Sequence, residues 1–206
     1  MPVHIEQLGP GFAGSIDGLD LCNPLSEKEI IAIHEGMDKY AVLVFKRQTI
    51  TDAEQLQFSQ QLGKIEHAIG TSLREPKDFR LPSTFADVSN LDKDDKPFEI
   101  DDRRRLFAIG NRLWHSDSSF KVVPAKYSIL HAISIPSKGG NTEFAHTPSA
   151  YDELENDIKL EINDYICQHS QMFSRQLVGF TDFTEDERTR FAPVRQCLVR
   201  QHPETC

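Results

Sequence analysis

Two residues near the middle of the chain have the types and the spacing of metal ligands. His115 and Asp117 are separated by one residue, in the stretch Trp-His-Ser-Asp-Ser-Ser-Phe. On a β-strand, residues i and i+2 point to the same face, so the imidazole and the carboxylate can converge on one metal ion. A pair of this kind supplies two of the three protein ligands in the two-His-one-carboxylate site of non-haem iron(II). The spacing therefore predicts His115 and Asp117 as metal ligands and as catalytic residues.

The spacing alone is weak evidence, because three of the eight histidines have an acid two residues further on. The other two pairs are His4 with Glu6, at the start of the sequence, and His202 with Glu204, which has a proline between its members. Such a pair is also more often a structural hydrogen bond than a metal site. The residues around His115 therefore decide between the two interpretations.

Short motifs on both sides of the pair occur in the order and at the spacing of a known enzyme family. They are segments 17–21, 43–48, 62–63, 111–120, 127–128, 139–144 and 150–152. Together these motifs resemble the iron- and 2-oxoglutarate-dependent dioxygenases of the taurine and 2,4-dichlorophenoxyacetate type. The resemblance extends over nearly all of the 206 residues and is closer to the dichlorophenoxyacetate branch.

The resemblance implies the reactants and two further site residues. Fe(II) would be the cofactor and 2-oxoglutarate the co-substrate, and molecular oxygen would hydroxylate a small organic acid, aryloxyacetate-like in that branch, with release of succinate and carbon dioxide. Thr142 matches the threonine that binds the distal carboxylate of 2-oxoglutarate, and Asn111 matches an asparagine near the substrate. Two simpler interpretations stay open, because Thr142 also suits a strand and Asn111, beside Gly110, also suits a turn.

The resemblance also implies that the family's second iron histidine and its co-substrate arginine have no counterpart in this sequence. Both lie in the carboxy-terminal portion of the family, whereas His202 matches a position that is not a ligand. We therefore expect a single dioxygenase domain over residues 1–206 that lacks its carboxy-terminal portion. The alternative is a catalytically inactive remnant of the family that acts, if at all, as a binding protein. A zinc hydrolase is a third interpretation, but it needs another nearby His or Cys.

Composition excludes several other classes of function. The formal net charge of −9 argues against nucleic acid or an anionic membrane as a partner. No apolar run approaches the roughly 20 residues of a membrane span, and the first residues lack the features of a secretory signal. The four cysteines lack metal-site spacing and are expected to be reduced thiols. These features predict a cytoplasmic protein, and they neither predict nor exclude a homo-oligomer.

Capping signals and apolar periodicity predict the secondary structure around the motifs. Capping boxes predict helices that begin after Ser26, Thr51 and Thr184. Apolar runs or alternation predict strands at 3–8, 41–45, 127–133, 142–144 and 194–200. The strand at 3–8 is expected to be an edge strand, the one at 41–45 to be buried on both faces, and residues 136–140 to form a turn. Residues 64–105 are expected to be loop, including the charged run 101–105, with a role as a lid left open. This order predicts a mainly β fold with flanking helices, and the resemblance implies a double-stranded β-helix, or jelly roll, incomplete in this chain.

Overall fold

The computed structural model describes residues 3–67, 73 and 76–205. In chain order its elements are β1 (His4–Gln7), β2 (Gly14–Asp17), α1 (Glu27–Tyr40), β3 (Leu43–Phe45), α2 (Asp52–Leu62), α3 (Arg103–Ala108), α4 (Thr147–Asp152), α5 (Asn156–Ile162), β4 (Ile166–His169), α6 (Gln171–Leu177), α7 (Glu185–Arg190) and β5 (Val194–Cys197), with 3-10 turns at Pro76–Asp78 and Ile109–Arg112. The chain divides into two compact units. The first comprises Met1–Lys64, Ile129–Asp164 and Val199–Cys206, and the second comprises Ile65–Ser128 and Tyr165–Leu198.

The first unit contains a three-stranded sheet that packs against two capped helices. Strand β2 lies between β1, to which it is antiparallel, and β3, to which it is parallel. Helix α1 makes the crossover between the parallel strands, and its Gly36 lets it approach the sheet closely: an added Cβ would lie 2.6 Å from a methyl carbon of Ile5. The buried core of this unit consists of Ile16, Leu19, Leu21, Ile33 and Phe58.

The predicted amino-terminal elements are mostly confirmed. Both capping boxes form, because Ser26 and Thr51 each accept a hydrogen bond from the backbone N–H of a glutamate three residues later. Strand β1 is an edge strand, as its alternating pattern predicted. The prediction that β3 is buried on both faces is wrong, because Val44 is 39% exposed.

The second unit is built around four phenylalanine rings. They are Phe107, Phe180, Phe183 and Phe191, each at most 6% exposed. Most of these rings meet edge to face, the arrangement that aromatic quadrupoles favour. The unit also contains a two-stranded antiparallel sheet of β4 and β5, of which only the β5 region was predicted.

The sequence predicted a solvated loop for the charged run 101–105. This prediction is wrong, because Asp102 is the N-cap of α3 and Arg103 begins the helix. The side chain of Asp102 caps this helix by accepting a hydrogen bond from the backbone N–H of Arg104. Arg103 binds Glu187 of α7 with a distance of 2.9 Å between Nη2 and Oε2. The positive charges therefore stabilise contacts within the second unit.

The predicted strands at 127–133 and 142–144 are absent from the structure. Both segments are irregular, and neither has a strand partner among the residues described here. Alternation predicts a strand only where another strand can satisfy the backbone N–H and C=O groups. Between them the chain bends, and both Gly139 and Gly140 adopt a left-handed conformation with φ of 73°. The described chain combines sheets with flanking helices, as expected, and more of its residues lie in helices than in strands.

No helix in the described part of the chain is both long enough and apolar enough to cross a membrane.

Candidate metal and co-substrate site

The side chains of His115 and Asp117 meet in the second unit. The Nε2 atom of His115 lies 3.2 Å from Oδ1 of Asp117, and both side chains are accessible, with 46% and 61% of their surface exposed. They do not lie on a strand, as the sequence predicted, because residues 114–116 are irregular and a turn begins at Asp117. The two side chains therefore converge through a turn rather than through strand alternation.

A backbone carbonyl determines which nitrogen of His115 faces the carboxylate. The Nδ1 atom lies 2.6 Å from the carbonyl oxygen of Leu113. A carbonyl oxygen only accepts hydrogen bonds, so Nδ1 must carry a proton. In the neutral imidazole Nε2 is then an acceptor, and its lone pair faces the carboxylate of Asp117. When Nε2 carries no proton, its lone pair and the Asp117 carboxylate can bind one cation together.

The geometry of the pair fits a divalent metal ion as that cation. Metal–nitrogen and metal–oxygen bonds of about 2.1 Å at a right angle bring the two ligand atoms to about 3.0 Å from each other. The observed 3.2 Å between Nε2 and Oδ1 is close to that value. The hydrogen bond from Nδ1 to a backbone carbonyl is also the usual outer contact of a metal-binding histidine. Within the described ranges, no group of three or more His, Cys, Asp or Glu side chains is placed to hold a metal.

The turn that begins at Asp117 is held from two directions. Ser118 adopts a left-handed conformation with φ of 57°, which costs a non-glycine residue about 1–3 kcal/mol. Its hydroxyl donates to Glu66 at 3.4 Å, and Lys121 forms an ion pair with the same glutamate. From the other direction, the side-chain amide of Gln196 donates to the carbonyl of Lys121 at 2.8 Å. These contacts stabilise a strained turn and with it the position of the carboxylate.

Thr142 belongs to the first unit, where its side chain is exposed in irregular chain. Because Thr142 is exposed, its hydroxyl is accessible to a ligand. The alternative interpretation of Thr142 as a strand residue is wrong, because residues 141–146 form no strand.

Asn111 lies in the 3-10 turn Ile109–Arg112, four residues before His115. Its side chain is exposed, and its Oδ1 accepts a hydrogen bond of 2.6 Å from Nη2 of Arg175. The turn agrees with the simpler interpretation of Asn111, but the contact with Arg175 goes beyond it.

Arg175, on α6, did not stand out in the sequence. It is 9% exposed, and its guanidinium carbon lies 4.7 Å from the centre of the Phe107 ring. Burial lowers the pKa of this guanidinium. A single arginine in a helix gives no sequence signal of burial. The one related feature is Gly110, where an added Cβ would lie 2.6 Å from Cδ of Arg175, so a residue without a side chain is needed beside the buried arginine.

Comparisons with known proteins agree with the motifs. The family model described as "Taurine catabolism dioxygenase TauD, TfdA family" matches residues 4–206. The 2,4-dichlorophenoxyacetate dioxygenases of Burkholderia sp. (strain RASC) and Cupriavidus pinatubonensis are 37% and 36% identical to this chain over 202 residues. Each match covers 98% of this chain, but 68% and 70% of the respective relative.

A solved structure gives a similar result. The crystal structure of AAD-2 in complex with Mn(II) and N-oxalylglycine superimposes with a TM-score of 0.96 and 50% sequence identity, covering 99% of this chain and 71% of that one. The chain therefore belongs to the TauD/TfdA family of dioxygenases, whose cofactor is Fe(II) and whose co-substrate is 2-oxoglutarate.

Proposed function

We propose that this protein hydroxylates a small organic acid with iron(II), 2-oxoglutarate and oxygen, and releases succinate and carbon dioxide. The observation that carries the proposal is the His115–Asp117 pair, in which Nε2 of the imidazole lies 3.2 Å from a carboxylate oxygen while Nδ1 contacts a backbone carbonyl. His115 and Asp117 would hold the metal. When bound, Fe(II) would supply the site where 2-oxoglutarate and oxygen react.

The roles of the other site residues follow from their chemistry. Thr142 would donate its hydroxyl to the distal carboxylate of 2-oxoglutarate and so orient the co-substrate. The side-chain amide of Asn111 would donate to the substrate acid near the metal. Leu113 would keep His115 in the tautomer that leaves Nε2 free for the metal, because its carbonyl accepts the Nδ1 proton.

The relatives support a narrower proposal about the substrate. Two of them are 2,4-dichlorophenoxyacetate dioxygenases, and N-oxalylglycine, bound in AAD-2, has the skeleton of 2-oxoglutarate with an N–H in place of a methylene. An aryloxyacetate is therefore the substrate class that we propose, with the reaction taking place in the cytoplasm. The hydroxylated product of such a substrate is a hemiacetal, which collapses to a phenol and glyoxylate.

The same relatives support a proposal about the architecture. The family match spans both compact units, which favours one dioxygenase domain over residues 1–206. We propose the jelly roll of the family as its fold. The described residues offer two ligands, so a third ligand would come from the part of the relatives' length that this chain does not cover.

Binding of Mn(II), measured by electron paramagnetic resonance, tests the proposed metal site. Either His115→Ala or Asp117→Ala should weaken Mn(II) binding by at least about tenfold, because even the loss of an outer contact of a metal ligand costs about 10- to 100-fold. The titration includes 2-oxoglutarate, which should tighten binding to the wild-type chain.

The chain offers a matched control for this titration. His202 and Glu204 have the same spacing, but Nδ1 of His202 accepts hydrogen bonds from the backbone N–H groups of Glu204 and Thr205. His202→Ala and Glu204→Ala should leave Mn(II) binding unchanged. If the control variants weaken binding as much as the variants at 115 and 117 do, the assignment of the ligands is wrong.

A further inference from the structure

Arg175 is a buried cation for which the described residues provide no anionic partner. No described carboxylate lies within 4.0 Å of its guanidinium, and burial lowers the pKa of the group. Its Nη1 donates to the hydroxyl of Ser174 at 3.0 Å, its Nη2 donates to Asn111, and its buried Nε has no described hydrogen-bond partner. A buried charge that is not neutralised is costly, so such a residue is expected to have a role besides packing.

The contact with Arg175 fixes the orientation of the Asn111 amide. An arginine side chain only donates hydrogen bonds, so the atom of Asn111 that lies 2.6 Å from Nη2 must be the carbonyl oxygen. The amide NH2 group then occupies the other position of this exposed side chain. Asn111 therefore offers a donor, and not an acceptor, to a ligand that reaches its exposed side chain.

We propose that Arg175 is a positioning residue that orients Asn111 to receive the carboxylate of the substrate acid. This inference rests on the proposed function, because it takes an organic acid as the ligand. The uncompensated charge of Arg175 lies one side chain beyond the amide. Its field favours a carboxylate over a neutral ligand at that position, and the effect is strengthened by the aromatic surroundings of the guanidinium. Selectivity for acids would thus come from a residue that does not touch the substrate.

The variant Asn111→Asp tests this inference, with phenoxyacetate as the probe and isothermal titration calorimetry as the measurement. An aspartate would pair with Arg175 and keep the fold, but it would present a carboxylate oxygen to the ligand in place of the NH2 group. We expect phenoxyacetate to bind about 10- to 100-fold more weakly, as the loss of a hydrogen bond to a charged group predicts. The melting temperature should stay the same or rise, and the affinity for neutral phenoxyacetamide should change much less.

Substitutions of Arg175 provide an independent readout. In Arg175→Met the amide of Asn111 can flip, so two orientations share the population and the affinity for phenoxyacetate should fall by about twofold or more. Arg175→Lys keeps a charged donor and should recover part of the loss.

The matched control for Asn111→Asp is Asn156→Asp, which makes the same change at an exposed position at the start of α5. This variant should bind phenoxyacetate like the wild type.

The titrations are made with and without Mn(II), so that this inference and the proposed function can fail separately. Loss of Mn(II) binding would contradict the proposed function, whereas the phenoxyacetate titrations decide the role of Arg175. The inference is overturned if Asn111→Asp binds phenoxyacetate as tightly as the wild type, or if the wild type does not bind it at all. Should Arg175→Met fail to fold, the result for Asn111→Asp still decides.

Discussion

At the scale of single residues, one backbone atom orients the imidazole ring of His115. The carbonyl of Leu113 accepts the Nδ1 proton at 2.6 Å, which leaves Nε2 free to face Asp117. Because Leu113 follows the 3-10 turn that contains Asn111, the contact of Arg175 with Asn111 also stabilises the segment that presents this carbonyl. The orientations of His115 and Asn111 are therefore linked through a few consecutive residues.

Thr142 permits a prediction that changes a single functional group. Thr142→Val keeps the β-branched shape and removes the hydroxyl. If that hydroxyl binds the distal carboxylate of 2-oxoglutarate, its loss should cost about 1.5–3 kcal/mol and weaken 2-oxoglutarate binding about 10- to 100-fold. The measurement is the affinity for 2-oxoglutarate in the presence of Mn(II).

Two further variants control this experiment. Thr142→Ser keeps the hydroxyl and should bind 2-oxoglutarate nearly as the wild type does. Thr181→Val makes the same change at another exposed position and should have no effect. An unchanged affinity in Thr142→Val would remove Thr142 from the co-substrate site.

At the scale of secondary-structure elements, an ion pair between two helices stabilises the second unit. Glu187 of α7 binds Arg103 of α3 and also completes the capping box with Thr184. Burial raises the pKa of Glu187, but the hydrogen bonds from Arg103 and Thr184 outweigh burial, so its pKa lies below the ordinary value of 4.5. A carboxylate whose pKa is lower in the folded state than in the unfolded state stabilises the fold at pH values above the ordinary pKa. This contribution is lost as the pH falls through the lowered pKa.

Glu187→Gln should therefore reduce the free energy of unfolding by about 1–2 kcal/mol at pH 7, an amount discounted for the partial exposure of Arg103. The difference from the wild type should shrink as the pH falls from 4.5 through the lowered pKa, because the carboxyl group is protonated first in the unfolded state and then also in the folded state. Urea unfolding at several pH values measures this difference in the free energy of unfolding. Glu185→Gln, an exposed change in the same turn, should cost little. A difference that persists unchanged at pH 3 would refute the role of this ion pair.

Local signals predicted some elements well, and the reason is physical. A capping box is satisfied within four residues, so Ser26, Thr51 and Thr184 predicted the starts of their helices correctly. A strand needs a partner strand outside its own segment, so the alternation at 127–133 did not suffice. The convergence of His115 and Asp117 was predicted by spacing, but the turn that achieves it depends on Glu66 and Gln196, which no local pattern reveals.

At the scale of the whole molecule, the main feature is a set of large apolar side chains that are exposed to solvent in the first unit. The stretch 129–144 has large exposed side chains at Leu130, Ile133, Ile135 and Phe144, between 54% and 77% exposed. These residues belong to the motif-rich part of the chain that matches the family over residues 4–206. This chain spans 68% and 70% of the length of the two dichlorophenoxyacetate dioxygenases.

The central claim is that His115 and Asp117 hold the iron that couples oxidation of 2-oxoglutarate to hydroxylation of an acid. The most direct test is the yield of succinate from 2-oxoglutarate, Fe(II), oxygen and phenoxyacetate. It is measured with this chain joined to the part of AAD-2 that it does not cover. We predict succinate and phenol in equal amounts, and a loss of both in Asp117→Ala but not in Glu204→Ala. Turnover that survives in Asp117→Ala would contradict the account.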